Sequence, residues 1–196
     1  MHGEHLHRRH AGTGDGLPYI EGVQEGMMDP EIGGIVDRLL RSYSTYYDIE
    51  TCDGQDLVAR ACFHSRGEKY ILTRSVNLWS VEDNEYVFFY AGDHLDPEGL
   101  ERAIRMSSDM GMKMIEPGPE HRSSMITTIL IFGTMDGNCK RIIKSYREHR
   151  NFGFMLKGWM DHRVAALETS TSAIVSNRAG RNVARNLDNV TKASSR

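Results

Sequence analysis

Four groups of residues in this chain have types and spacings that could do chemistry. The densest lies within residues 59–70, where Arg60, His64, Arg66, Glu68 and Lys69 crowd the connection between two apolar runs. Mixed charge at strand ends can form a polar site, with guanidinium as an anion fork and Glu or His as a base. The plainer reading is the salt-bridged rim of a hairpin. The second group is Lys157-Gly158-Trp159, followed by Asp161, His162 and Arg163. A Gly beside Trp in a strand marks a bulge or a close backbone approach. Lys157, His162 and Arg163 could meet an anion there, against the plainer reading of a packed indole with solvated neighbours.

The third group is His2, His5, His7 and His10. Imidazoles ligate Ni, Cu and Zn, so a loosely bound ion of this kind is the cofactor they imply, by composition rather than by a preformed site. The fourth is a basic stripe. Lys140, Lys144 and Arg147 fall at i, i+4 and i+7, with Arg141 and Arg150 beside them and Arg178, Arg181 and Arg185 further on. A stripe of this sort could follow a phosphate backbone, but a solvated helix face explains it more often, and nucleic acid is not the favoured partner. Phosphate-loop, dinucleotide-loop, zincin and nucleophile-elbow signatures are absent, which removes the easy nucleotide, protease and hydrolase readings. The glycines at 12, 14 and 16 precede no strand–helix unit.

The elements that would position these groups follow from periodicity. Residues 1–28 are Gly-rich and poor in apolar residues, so they read as a disordered tail. Asp29-Pro30 opens a helix, and Ile32, Ile35, Val36, Leu39, Leu40, Tyr43 and Tyr47 give it one apolar face. Strands are expected at 57–63, 70–73 and 85–90, the last a continuous aromatic and β-branched run of the kind covered on both faces. Asp96-Pro97 opens a second helix that Gly111 should end. A strand over 125–132, a helix from Asn138 to about 149, strands at 152–159, 164–167 and 173–175, and a helix over 180–190 complete the order. A single domain over 29–190 with a polar tail at 191–196 is expected. Its class is α/β or α+β, a mixed central sheet of about five or six strands with helices packed on it, in the order α-β-β-β-α-β-α-β-β-α.

The chain has 196 residues, enough to bury a core without staples. Cys52, Cys62 and Cys139 are odd in number and widely spaced, which points to reduced thiols and a cytoplasmic setting. No apolar run approaches the ~20 residues that span a bilayer, and the first ten residues lack a secretory pattern. Charge is lopsided: residues 1–138 carry 12 Lys and Arg against 23 Asp and Glu, and residues 139–196 carry 12 against 4. Such a split signals either a basic binding surface or two parts that neutralise each other on folding, and the acidic total favours the second.

In residues 60–72, the aromatic strand from Glu85, Pro119-Glu120-His121 and residues 156–159 (LKGW), the chain resembles an uncharacterised family of small prokaryotic proteins over roughly residues 30–190. The resemblance implies no catalytic role. It nominates Arg60, His64, Glu68, Lys69, His121, Lys157 and Trp159. The element order is also similar to the core of the restriction-endonuclease-like PD-(D/E)xK fold, which implies an acid on the second strand and Glu-x-Lys on the third, holding Mg²⁺. Here Glu68 and Lys69 are adjacent, and Glu85 has no Lys two positions on. The comparison therefore carries the fold rather than the cleavage reaction.

The function these readings favour is a binding domain for an anionic ligand or a protein partner. Its candidate ligand-binding residues are Arg60, His64, Arg66, Glu68, Lys69, His121, Lys157, Trp159 and Arg163, with 64–69 and 157–163 expected to share one groove. A degenerate phosphodiesterase built on His64, Glu68, Lys69 and Glu85, and metal handling by the tail, are the alternatives.

Overall fold

The computed structural model describes residues 28–52, 54, 56–63, 83–118, 121–153 and 157–192. Its elements run α1 (Pro30–Tyr43), β1 (Asp48–Thr51), β2 (Leu57–Phe63), β3 (Asp83–Leu95), α2 (Pro97–Met114), β4 (Ser123–Met135), α3 (Gly137–Ser145), β5 (His149–Asn151), β6 (Trp159–Glu168), β7 (Ala173–Ser176) and α4 (Arg181–Lys192). The class is mixed α/β, as the sequence indicates, with four helices on a seven-stranded sheet that does not close.

The sheet is ordered β1-β2-β3-β4-β6-β5, and β7 also pairs with β6. β1, β2 and β3 form an antiparallel meander. β3, β4 and β6 are parallel, so the helices after β3 and β4 return the chain to the same starting end. β5 and β7 pair antiparallel with opposite ends of β6, β5 along Trp159 to Asp161 and β7 along Ala165 to Glu168.

Side chains alternate along each strand, and each face of the sheet has its own core. Val87, Phe89, Ile129, Ile131, Ala165 and Leu167 meet Ile35, Leu39 and Leu40 of α1 and Val183 and Leu187 of α4. Tyr86, Phe88, Ile126, Leu130, Val164 and Ala166 meet Leu100 and Ile104 of α2 and Ile143 of α3. Burying each such side chain contributes about 1.5–3 kcal/mol before ordering costs. β3 and β4 carry apolar residues at both parities because both faces are covered.

Asp29 accepts from the Glu31 amide at 2.8 Å and Asp96 from the Gly99 amide at 2.7 Å, so both expected helix starts are real caps. Several boundaries differ from expectation. α1 ends at Tyr43, and Tyr47 lies in the turn before β1, an edge strand that charged residues disguise. Among the described residues the sheet gains β1 and β5, short strands that are half-exposed and exposed, and reaches seven strands rather than five or six. α2 passes through Gly111 to Met114. A Cβ at Gly111 would stand 2.7 Å from Ile126, so this Gly lets the helix approach β4 closely. α3 has Asp136 at its N-cap position, without a capping side-chain bond, and stops at Ser145, because Tyr146 is extended (ψ 135). Lys140 and Lys144 therefore share a helix, while Arg147 lies beyond it, and Lys140 is bonded to Glu168 at 2.7 Å. Within the expected strand at 152–159, the described residues Phe152, Gly153, Lys157 and Gly158 are not in a strand, and Trp159 begins β6. Gly153 and Gly158 have φ of 52° and 84°, and the chain turns there into β6, which is longer than the expected 164–167. The expected strand at 70–73 lies outside the described residues.

Candidate functional site

The sequence-nominated residues fall in three places. Arg60 projects from β2 and forms an ion pair with Glu50 on β1 at the sheet edge, at 2.8 Å through Nε. Arg163, on β6, is interior. His121, Lys157 and Trp159 come together at the starting end of β4 and β6. His64, Arg66, Glu68 and Lys69, and the tail residues His2, His5, His7 and His10, lie outside the described residues. The same is true of the proposed meeting of Glu68 with Lys157.

The His121 cluster joins the two short motifs. The His121 Nδ1–H donates to the Lys157 carbonyl at 2.7 Å, and Nε2 accepts from the Ser124 hydroxyl at 2.8 Å. A carbonyl only accepts, so the contact places the proton on Nδ1. A Cβ on Gly158 would stand 2.4 Å from His121 Nδ1 and 2.7 Å from the carbonyl oxygens of His121 and Arg122. Gly158 is thus required twice, for its φ of 84° and for the imidazole packed against it. Phe152 closes the turn: its amide donates to the Gly158 carbonyl at 2.9 Å, the Lys157 amide donates to its carbonyl at 3.1 Å, and its ring centroid lies 5.7 Å from that of His121. The order Ser124, His121, Lys157 carbonyl is that of a nucleophile, base and orienting group. Ser124 is fully buried, however, so the relay works as a latch between β4 and the turn.

The latch presents a polar aromatic surface. Lys157 is exposed, and its stem crosses Gly153, where an added Cβ would meet Lys157 Cγ at 3.0 Å. Trp159 is half-buried and stacks on His149 of β5, centroids 5.9 Å apart and planes 29° apart. His149 is held by Asp161 at 2.8 Å and Asn151 at 3.1 Å, and the bond to Asp161 raises its pKa above 6.5. Arg122, Arg147 and Arg150 are exposed at the same end.

Two carboxylates, one buried and one half-buried, flank this end on opposite faces. On the α1/α4 face, Glu85 accepts from Tyr47 at 2.8 Å and Thr127 at 2.6 Å, and faces Arg163 at 3.5 Å. Burial first, and then Glu85, push the Tyr43 and Tyr47 phenols far up. On the α2/α3 face, His162 is fully buried between Thr128 (2.8 Å), Tyr146 (2.9 Å) and Glu148 (3.1 Å). Glu148 also accepts from Tyr146, Ser108 and Arg150, and these bonds, His162's foremost, hold its carboxyl far below the ordinary range. His162, expected at an anion site, is instead interior to this network. Ser124, Phe152, His149 and Tyr146 went unnoticed in the sequence, since strand register brings them in and no local spacing announces it. Among the described residues, no three His, Cys, Asp or Glu gather as a metal site.

Residues 33–189 match the sequence family described as Domain of unknown function (DUF8052). The chain belongs to this family. The match covers β1 to β7 entire, with most of α1 and α4, so the His121 latch lies wholly inside the family's span. No curated protein and no solved structure matches the chain. No described helix is long and apolar enough to cross a membrane.

Proposed function

We propose that the chain is a binding domain for a small anionic ligand with a flat ring, held where β4 and β6 begin. The observation that supports this reading is the exposed Lys157, whose backbone is fixed two residues from the Trp159–His149 stack by a latch that only Gly at 158 allows. A cation beside an aromatic wall suits a ring that carries negative charge. Exposed Arg122 and Arg147 add positive charge at this end, whereas Arg150 is paired with Glu148. The phosphodiesterase reading is weaker. It needs Glu85 for a metal, and the carboxylate already accepts two short hydroxyl bonds and faces Arg163. The three cysteines are free, which supports a cytoplasmic setting.

ATP is a suitable probe, with inorganic phosphate as the ring-free control. In a Trp79→Phe background Trp159 is the one indole left, and its emission reports the site. We expect saturable quenching by ATP, little by phosphate, and affinity weakened at least about tenfold by Lys157→Ala, which corresponds to roughly 1.4 kcal/mol. No saturable response to ATP, or equal affinity in the Lys157→Ala chain, overturns the reading.

A further inference from the structure

The opposite end of the parallel strands carries a different arrangement. His94 on β3 and Thr134 on β4 are register partners, and His94 Nδ1 lies 2.8 Å from the Thr134 hydroxyl. His94 Nε2 faces Asp136 at 3.4 Å. The three form a hydroxyl–imidazole–carboxylate series, all exposed. We propose that Thr134, His94 and Asp136 are an acyl-accepting site for small neutral carboxylic esters, independent of the ligand site at the other end.

Asp136 supplies the internal control. Three of the described helices have Asp at the N-cap. Asp29 and Asp96 spend their side chains on helix amides, whereas Asp136 makes no capping bond and is turned toward His94. Position adds to this. The three residues stand at the carboxyl ends of adjacent parallel strands, where open α/β sheets bind their ligands. α3 starts here, and the Gly137 and Asn138 amides have no intrahelical acceptor, so they can face developing negative charge on an ester oxygen. Space beside Gly137 is open: an added Cβ would meet nothing within 4 Å. Gly133 lets β4 approach β3 just before Thr134, since a Cβ there would stand 2.7 Å from the Asp93 carbonyl oxygen. Asp93 and Asp96 lie nearby in the chain and disfavour an anionic substrate, hence a neutral ester.

The step balances within these groups. Thr134 Oγ bonds to the ester carbonyl carbon as its proton passes to His94 Nδ1, while the Nε2–H faces Asp136. The tetrahedral centre collapses, the ester C–O bond breaks, and the departing alkoxide takes the proton from His94. Water, deprotonated by His94, then cleaves the acyl-threonine and restores the hydroxyl. Thr134 has one competing acceptor, the Asp93 carbonyl, at the longer distance of 3.4 Å.

The test uses the full chain with p-nitrophenyl acetate, following nitrophenolate release and mapping the acetyl group by peptide mass. The expected result is turnover with acetyl on Thr134. Thr134→Ala and His94→Gln should each lower the rate at least about tenfold, Asp136→Asn less, and Thr134→Ser should retain it. Circular dichroism confirms that each variant is folded. Undiminished release by folded Thr134→Ala, acetyl found elsewhere, or no release by the wild-type chain overturns the proposal.

Discussion

Glu85 and Glu148 are carboxylates on opposite faces of one sheet, and they are satisfied in opposite ways. Glu85 is 2% exposed, and its partners come from three distant parts of the chain: Tyr47 before β1, Thr127 on β4 and Arg163 on β6. Glu148 keeps 16% of its side chain exposed. Most of its partners, Tyr146, Arg150 and His162, come from one stretch of 17 residues, with Ser108 of α2 added. The Glu85 pair also joins the acidic first part of the chain to the basic second part, whereas Arg150–Glu148, Lys140–Glu168 and His149–Asp161 stay within the second. The first network ties the fold together in dry surroundings. The second supports the end of the sheet where Trp159 and His149 stack, in contact with water.

The sharpest way to break this comparison is to remove one charge from each network. Arg163→Met leaves the Glu85 carboxyl in the core with two hydroxyl donors and no guanidinium. Breaking a buried pair in this way costs about 3–5 kcal/mol, and the low end is expected because Tyr47 and Thr127 remain. Urea unfolding measures it. If Glu85→Leu is added, most of the loss should return, since a matched apolar pair needs no compensation. A loss under about 1 kcal/mol for Arg163→Met would mean the pair is effectively solvated and the two faces are alike.

Tyr47→Phe follows in size. It removes the 2.8 Å donor to Glu85 Oε2 while keeping the ring against Tyr43 and Phe63, 4.9 and 5.6 Å between centroids. Leaving a buried acceptor short of a donor costs about 1–3 kcal/mol. The phenol is held protonated far above its ordinary range, so this loss should be constant from pH 6 to pH 9. A cost that fades as pH rises would show the phenol titrating, contrary to its burial.

These residues also show what was legible in the sequence. The Asp-Pro helix starts and the aromatic run of β3 were readable because capping chemistry and two-faced burial write local patterns. Gly111 read as a helix end because backbone freedom and close approach call for the same residue, and sequence alone cannot say which applies. β1 and β5 were invisible, since an exposed edge strand needs no apolar alternation. Lys157, Trp159 and His121 could be nominated, but not their meeting. That depends on the parallel register placing Ser123 beside Trp159. Arg163 was nominated as a ligand cation because nothing near it in sequence reveals Glu85, 78 positions away.

Acid should separate the two networks further. Glu148 has its pKa lowered in the fold, by His162 first and then by Tyr146, Arg150 and Ser108. A lowered carboxyl contributes stability that is fully present above its unfolded value of 4.5 and is lost as pH falls below it. Glu168, held down to about 2 first by Lys140, loses its contribution over the same interval. Glu148→Gln should therefore give a chain that is less stable at pH 7 and whose stability falls less steeply below pH 4.5, with the Glu168 contribution remaining. Parallel stability–pH curves for the two chains would sink this account.

Arg150→Ala is expected to have the smallest effect, and it tests the wet side of the comparison directly. Arg150 reaches Glu148 Oε1 through Nε at 3.0 Å and Nη2 at 2.8 Å, a two-pronged contact that looks strong on distance alone. Its side chain is nevertheless 53% exposed, so water and salt screen the attraction, and ordering a long side chain offsets part of the gain. The other donors to Glu148 stay in place when Arg150 is removed, and the freed oxygen faces solvent that can replace the lost bonds. The expected cost is thus about 0–1 kcal/mol at low ionic strength, shrinking further near 1 M salt, where the Debye length falls to about 3 Å. Urea unfolding at both salt concentrations measures it. A loss comparable to that of Arg163→Met, insensitive to salt, would mean that Glu148 depends on Arg150 as Glu85 depends on Arg163, and that the end of the sheet under Trp159 is as dry as its interior.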